Sequence, residues 1–250
     1  MKKTMKKTLY LLYGVLSYFA FLGTILYAIG FVGNFAVPKT IDGNPQAPLA
    51  AAILINASLL VLFALQHSIM ARPAFKARWT KIIPAELERS SFVLLSSVCL
   101  VLMMWQWQPV GGTVWSVENK AVKAILLVAY LTGWAIVFIS TFLINHFDLF
   151  GLRQVWLYFT GKQYTTLPFR LPGFYKLVRH PLYFGFLVAF WATSHMTVAH
   201  LLFALLTTGY ILAAIRLEER DLLAHFGEKY RDYKKWAPMI IPFSRRRQTR

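Results

Sequence analysis

Long apolar runs separated by short polar stretches dominate this sequence. Four of them are long enough to cross a bilayer, which takes about 20 apolar residues in a helix. We place these spans at Leu9–Phe31, Leu49–Met70, Ser91–Trp107 and Ala121–Ile144. A fifth apolar block, Leu182–Ile215, is too long for one span, and the polar stretch from Thr193 to His200 divides it into a short and a longer helix. The pattern predicts an all-α integral membrane protein with about six membrane segments, the last two forming a helical hairpin.

The composition narrows the classes of function. Hydrophobic residues make up 57% of the 250 residues and charged residues only 15%, against about 25% in soluble domains. Such a chain cannot cover its own surface in water, which disfavours a soluble enzyme, a disordered protein and a nucleic-acid-binding globule. The single cysteine, Cys99, excludes an intramolecular disulfide framework. Because the six histidines show no metal-ligand spacing, we expect no metal site.

The basic residues predict the orientation of the chain. Of 27 lysines and arginines, 24 fall in the N-terminus, in residues 72–89, in residues 153–179 and from Arg216 onward. Six crossings put these four segments on one side, and cytoplasmic loops carry an excess of Lys and Arg. Both termini are therefore predicted to be cytoplasmic, with a basic C-terminal tail. The run Arg245–Arg247 in that tail predicts an anchor to anionic membrane lipids.

Polar residues gather at the cytoplasmic ends of the second and fourth spans. The second span ends near His67, and the fourth is followed by His146, Asp148 and Arg153. Ionisable residues at membrane depth are costly and usually functional. The alternative for each of them is an interfacial or packing role, because charged side chains also gather at helix ends to reach the headgroups.

The segment Arg179-His180-Pro181 predicts a helix start that attracts an anion. Proline is favoured in the first turn of a helix, and the free N–H groups there give that end a partial positive charge. The next helix returns antiparallel and brings Glu218 and Glu219 to the same surface. This arrangement suits a zwitterionic ligand with a ribose. The alternative is an ordinary helix start with an Arg–Glu pair across a hairpin.

Two sets of motifs extend along the chain. The C-terminal motifs are Arg179-His180-Pro181-x-Tyr183 with Gly185, Glu218-Glu219-x-x-Leu222, Phe226-Gly227-x-x-Tyr230-x-x-Tyr233 and Ile241-Pro242. The upstream motifs are Gln66-His67-Ser68 through Pro73, Glu88-Arg89-Ser90, Trp105-Gln106-Trp107 and Asn145 through Gln154. The C-terminal motifs resemble those of the isoprenylcysteine carboxyl methyltransferase-like membrane methyltransferases, and the upstream motifs resemble the nurim family within them. Within that family they look most like the bacterial methanethiol S-methyltransferases, which make dimethyl sulfide.

The resemblance implies an S-adenosylmethionine-dependent transferase that acts on a small apolar thiol. It implies a single methyltransferase domain over residues 1–250, in which residues 182–250 form the cofactor-binding hairpin and tail. Because the methanethiol S-methyltransferases that it resembles are bacterial, the protein is expected to lie in a bacterial inner membrane. The cofactor-binding residues would be Arg179, His180, Tyr183, Glu218 and Glu219. Two other functions stay open: methylation of another lipophilic acceptor, such as a prenylcysteine carboxylate, and a non-catalytic nurim-like scaffold. The oligomeric state is not predicted.

Methyl transfer to a thiol needs a thiolate, because the thiolate is the nucleophile. A neutral imidazole can take the thiol proton near neutral pH, so we assign His146 or His67 as the base. Asp148 would orient a histidine or balance its charge. Arg153 would stabilise the thiolate or anchor the chain at the headgroups.

Overall fold

The computed structural model describes residues 2–242 and 244, and most of its regular structure is helical. The prediction of an all-α membrane protein is confirmed. The helices are α1 (Lys2–Gly33), α2 (Leu49–Ala71), α3 (Pro73–Trp79), α4 (Ala85–Gln106), α5 (Lys120–Ile144), α6 (His146–Leu149), α7 (Leu152–Thr160), α8 (Pro181–Trp191), α9 (Val198–Phe226) and α10 (Glu228–Trp236). A 3-10 turn covers Gly173–Lys176, and the strands are β1 (Thr113–Ser116) and β2 (His195–Thr197).

Five helices in the described part of the chain are long and apolar enough to cross a membrane, namely α1, α2, α4, α5 and α9. α8 is apolar but has 11 residues, or about 16 Å at 1.5 Å per residue, against about 30 Å of hydrocarbon in a bilayer. The sixth crossing therefore stays a prediction. The run Arg245–Arg247 lies outside the described residues.

Two helices extend beyond the apolar runs that predicted them. α1 begins in the lysine-rich N-terminus, and α9 continues past Ile215 to Phe226. Lys, Arg, Leu and Glu are all good helix formers, so the helices run on where the apolar character stops. The strands β1 and β2, which form one two-stranded sheet, were not predicted. Such short strands depend on pairing partners distant in sequence, which a local pattern does not report.

The chain divides into two compact units. The first comprises the described residues of Met1–Gly112, Asn145–Thr166 and Thr197–His200. In it α4 packs against α1 and α2, and α7 packs against α1. An apolar cluster lies in its core, formed by Met70, Phe92, Val93, Phe21 and Phe150 among others. This cluster supports the helix ends that carry His67 and His146.

The second unit comprises the described residues of Thr113–Ile144, Leu167–Met196 and Leu201–Arg250. In this unit α5 packs against α8, and Gly133 faces Gly185. A Cβ atom at Gly185 would lie 2.6 Å from the carbonyl oxygen of Gly133, so the two backbones touch. Small residues allow this approach between helices in membranes. The contact fixes α8, and with it the position of the preceding Arg179 and His180.

Candidate functional site

Arg179 and His180 precede α8 in the geometry expected from the sequence. Pro181 is the first residue of the helix, and His180 is the residue that caps it, with extended φ of −126°. The carbonyl of His180 accepts the hydrogen bond of the Phe184 amide at 3.0 Å. Both Arg179 and His180 are 4% exposed. A buried cation and a buried imidazole therefore need partners within the protein or in a ligand.

Glu219 supplies those partners from α9. Its Oε1 accepts from Arg179 Nε at 2.6 Å and lies 3.2 Å from His180 Nε2. Its Oε2 lies 2.6 Å from the ammonium of Lys234 on α10. Glu218 is nearby, with Oε2 3.8 Å from His180 Nδ1 and its side chain 41% exposed. The structure thus brings Arg179, His180, Glu218 and Glu219 together, as the antiparallel hairpin predicted.

The segment after α10 folds back over Arg179 and His180. The backbone amide of Arg179 donates to the carbonyl of Pro238 at 2.9 Å, and that of His180 donates to the carbonyl of Met239 at 3.1 Å. The Arg179 guanidinium also donates from Nη1 to the carbonyl of Ala237. Two of its nitrogen atoms are therefore held inside the protein, so Arg179 fixes both Glu219 and the tail.

Two tyrosines of α10 differ in how their buried hydroxyl groups are bonded. The Tyr233 hydroxyl donates to the carbonyls of Tyr175 and Val178. The Tyr230 hydroxyl is also buried, but it has no hydrogen-bond partner among the described residues. Burial raises the pKa of both phenols, so both stay protonated at neutral pH. Tyr230 shares a core cluster with Ala237 and interacts electrostatically with Glu219 and Arg179, so its hydroxyl is a candidate ligand contact near this network.

Tyr183 lies on the first turn of α8. Its ring centre is 5.7 Å from that of His180. An aromatic ring at this point can cover a flat ligand group or pack on the imidazole.

In the first unit, His146 is the N-terminal residue of the short α6 and is 3% exposed. Its Nε2 lies 2.8 Å from the hydroxyl of Tyr18 on α1, and the Phe150 ring packs against it at 4.8 Å. Burial lowers the pKa of this imidazole. His146 is thus held as a neutral ring at pH 7, which is the form a general base needs.

Asp148 and Arg153 form one bonded group. Arg153 Nη1 donates to Asp148 Oδ1 at 2.8 Å and to the carbonyl of Thr165 at 2.9 Å, and Nη2 donates to the Thr165 hydroxyl. The Tyr164 hydroxyl donates to the other Asp148 oxygen at 3.3 Å. Asp148 also accepts from the side chain of Gln154. These bonds attach the loop after α7 to α6.

His67 lies on the last turns of α2, and in the described part of the chain it shares no hydrogen bond with the Asp148 group. Its Nδ1 is 3.2 Å from the Ser96 hydroxyl on α4. Its ring packs on Phe63 at 5.2 Å and on Phe92 at 4.8 Å. A histidine with one nitrogen paired and apolar walls around it can serve as a base or as a packing residue.

Sequence reasoning missed several partners of these groups. Lys234, Tyr18 and the carbonyl of Ala237 each bond a predicted site residue. The motif Tyr230-x-x-Tyr233 adjoins Lys234 and could have drawn attention to it. Tyr18 and the Ala237 carbonyl carry no local signal. Among the described residues, no three His, Cys, Asp or Glu side chains lie together as a metal-binding group.

Comparison with known proteins identifies the family. A family model described as NnrU protein matches residues 54–228. The chain belongs to the NnrU family. The matched segment contains every predicted site residue from His67 to Glu219, and it covers parts of both compact units.

Relatives of this NnrU-family chain include proteins named methanethiol S-methyltransferase and nurim. A protein of Crocosphaera subtropica named methanethiol S-methyltransferase is 56% identical over 96% of this chain and 94% of its own length. A protein of Mycobacterium tuberculosis with the same name is 50% identical over 97% of this chain and 99% of its own length. Mouse nurim is 30% identical over 70% of this chain and 69% of its own length. The resemblance to the nurim family is confirmed, and no solved structure matches the chain.

Proposed function

We propose that this protein transfers the methyl group of S-adenosylmethionine to a small thiol, with methanethiol as the acceptor and dimethyl sulfide as the product. The carrying observation is 56% identity, over nearly the whole chain, to a protein named methanethiol S-methyltransferase. The bonded cluster around Glu219 supports a site for a charged ligand in the second unit. The enzyme is proposed to lie in a bacterial inner membrane with both termini cytoplasmic.

The residues around Glu219 fit a zwitterionic nucleoside such as this methyl donor. Glu218 is half-exposed and can accept a hydrogen bond from an ammonium or a ribose hydroxyl. The buried Tyr230 hydroxyl has no partner among residues 2–242 and 244, and a bound ligand would provide one. His180 and Tyr183 would line the site, while Arg179 would hold Glu219 and the tail in place. The cofactor supplies the electrophilic methyl group when bound.

The acceptor chemistry needs a thiolate and a dry environment. A thiolate and a sulfonium react to give neutral products, so charge disappears along the path and a low-dielectric site helps once the ions are in contact. The thiol proton would go to His146 or His67, and the sulfur electron pair would then attack the methyl carbon. The neutral ring of His146, beside Tyr18, supports it as the base. Asp148 and Arg153 would hold the loop after α7 at this site.

The test is a methylation assay with purified protein in lipid nanodiscs. S-adenosylmethionine and a panel of thiols, including methanethiol, are supplied, and volatile products are detected in the headspace. We expect dimethyl sulfide from methanethiol. Calorimetry with S-adenosylhomocysteine separately tests the cofactor site, and Glu228→Gln, at an exposed surface pair, serves as the control.

Each alternative function has its own outcome in this assay. Binding of S-adenosylhomocysteine without methylation of any thiol, but with methylation of a prenylcysteine, would favour the lipophilic acceptor. No binding of S-adenosylhomocysteine and no methylation would favour the scaffold. The His67→Ala and His146→Ala variants are assayed from about pH 6.5 to pH 10, a window that covers ordinary histidine and thiol ionisation. Dimethyl sulfide formation that both variants retain throughout would remove both histidines from the mechanism.

A further inference from the structure

Arg89, on the first turns of α4, lies at the same aromatic ring as the candidate base His67. The Arg89 guanidinium is 5.8 Å from the centre of the Phe92 ring. The His67 ring lies 4.8 Å from the same ring. A cation and a candidate base thus share one aromatic neighbour in the first unit.

The Nε atom of Arg89 is buried and has no hydrogen-bond partner in the described part of the chain. Two other arginines of the first unit differ. Arg153 donates to Asp148 and Thr165, and Arg72 Nε donates to the carbonyl of Ser68 at 3.1 Å. Leaving a charged donor buried without an acceptor is costly, so a ligand acceptor is expected at Arg89.

A second buried polar atom, which no described residue bonds, lies on the residue before His67. Gln66 Oε1 has no hydrogen-bond partner among the described residues, while its amide nitrogen faces the sulfur of Met70 at 3.1 Å. Gln66 contacts Met70 and Arg89 lies at Phe92, and both Met70 and Phe92 belong to one apolar cluster. A donor and an acceptor that border the same apolar cluster suit a small ligand that has one polar atom and an apolar remainder. A short thiol meets both requirements.

The charge of Arg89 acts on two groups of polar residues in the first unit, one around His67 and one around Asp148. It interacts electrostatically with His67 and with Tyr164, whose hydroxyl donates to Asp148. An anion bound at Arg89 would therefore lie beside the candidate base. Arginine suits this position because it is always charged and its planar group stacks on an aromatic face.

We propose that Arg89 is the catalytic cation that holds the acceptor as its thiolate, donating from Nε to the sulfur. This proposal rests on the proposed thiol methylation. The base takes the S–H proton, and Arg89 stabilises the sulfur anion that remains. The sulfur lone pair then forms the new S–CH3 bond as the C–S bond of the sulfonium breaks, and the electron pair of that bond returns to the donor sulfur. One negative and one positive charge cancel, so Arg89 is left beside a neutral thioether and releases it.

The test compares Arg89→Gln with Arg72→Gln. The control also removes a cation that acts on His67, but one whose Nε is already bonded. An adjacent cation favours ionisation of a thiol. At pH 7 we expect Arg89→Gln to lower kcat/KM for methanethiol at least 30-fold and to recover toward wild type as the pH approaches the ionisation of the free thiol. Arg72→Gln should change kcat/KM less than 3-fold and keep the wild-type pH profile.

Calorimetry with S-adenosylhomocysteine separates this proposal from the proposed function. Binding should be unchanged in Arg89→Gln, since the cofactor residues lie in the second unit. If wild type makes dimethyl sulfide and both glutamine variants share its pH profile, the role of Arg89 is overturned while the proposed function stands. If wild type binds the ligand and methylates no thiol, the proposed function fails.

A conservative variant covers the case in which Arg89→Gln does not fold. Arg89→Lys keeps the charge without the Nε donor, and we expect a KM for methanethiol raised about 10-fold with kcat nearly unchanged. A wild-type KM in Arg89→Lys would overturn the proposed contact.

Discussion

Replacing Glu219 with alanine should strongly destabilise the second unit. Arg179 is 4% exposed and donates to Glu219 at 2.6 Å, so the variant leaves a buried cation without its counter-ion. Breaking a buried pair in this way typically costs about 3–5 kcal/mol. At about 2–4 °C per kcal/mol for a chain of this size, the Tm should fall by roughly 6–20 °C.

The assay is thermal unfolding of purified protein in one detergent, followed by tryptophan fluorescence. Glu228→Gln is the matched control, because the Glu228–Arg231 pair is exposed and such pairs contribute little. Its Tm should stay close to that of wild type. A Tm for Glu219→Ala that also stays close to wild type would refute the reasoning about the buried pair.

A double variant separates stability from ligand binding. Arg179→Met with Glu219→Met replaces both charges by apolar groups, and such replacements of buried pairs are often neutral or stabilising. The double variant should recover most of the Tm lost in Glu219→Ala. It should fail to bind S-adenosylhomocysteine, because the proposed cofactor site includes this network. Recovery of both properties would remove the network from the cofactor site.

Three further predictions follow from single contacts. Tyr230→Phe removes a buried hydroxyl that has no hydrogen-bond partner among the described residues, so it should keep or raise the Tm yet weaken S-adenosylhomocysteine binding about 10-fold in calorimetry. Tyr233→Phe loses hydrogen bonds to two carbonyls and should lower the free energy of unfolding by about 1–2 kcal/mol. Gly185→Val places atoms against the backbone of α5 and should cost about 1–3 kcal/mol in thermal unfolding, while Gly209→Val, whose Cβ meets nothing within 4 Å, should cost less. Burial lowers the pKa of His146, so its contribution to stability is present above about pH 6.5 and is lost as the pH falls through the folded pKa. His146→Gln should therefore flatten the acid side of a curve of Tm against pH. An unchanged acid side would contradict the assignment of His146 as a buried neutral imidazole.

The sequence predicted what local patterns encode. Apolar runs predicted the long helices, and proline in the first turn predicted the start of α8. The antiparallel return of α9 predicted that Glu219 would come to Arg179, because a hairpin of known limb lengths fixes which residues face each other at its open end. In these features the regular geometry of a helix decides which residues become neighbours in space.

Other parts of the candidate site depend on contacts that no regular spacing in the sequence predicts. His146 bonds Tyr18, which lies 128 positions earlier in the chain. Arg179 bonds the carbonyl of Ala237, and every residue has a carbonyl, so no side-chain pattern identifies it. Arg153 was predicted as a thiolate-stabilising cation or a headgroup anchor, and its bonds to Thr165 could not be anticipated because the loop between them has no regular structure.

The polar residues around Glu219 and those around His67 differ in a way that matches the chemistry of their proposed ligands. Around Glu219, the carboxylate meets Arg179, His180 and Lys234 at 3.2 Å or less. A zwitterionic ligand brings charges of both signs, so a site for it needs an internally balanced network whose charges keep their partners when the ligand leaves. Around His67, by contrast, Arg89 lies at the Phe92 ring, and its buried Nε has no hydrogen-bond partner among the described residues. A small thiol brings no charge until it ionises, and a cation already neutralised by a carboxylate would gain little from that ionisation. A site that forms its anion from a neutral thiol requires an arginine that still has a free donor. Replacing Arg89 therefore tests the acceptor chemistry most directly.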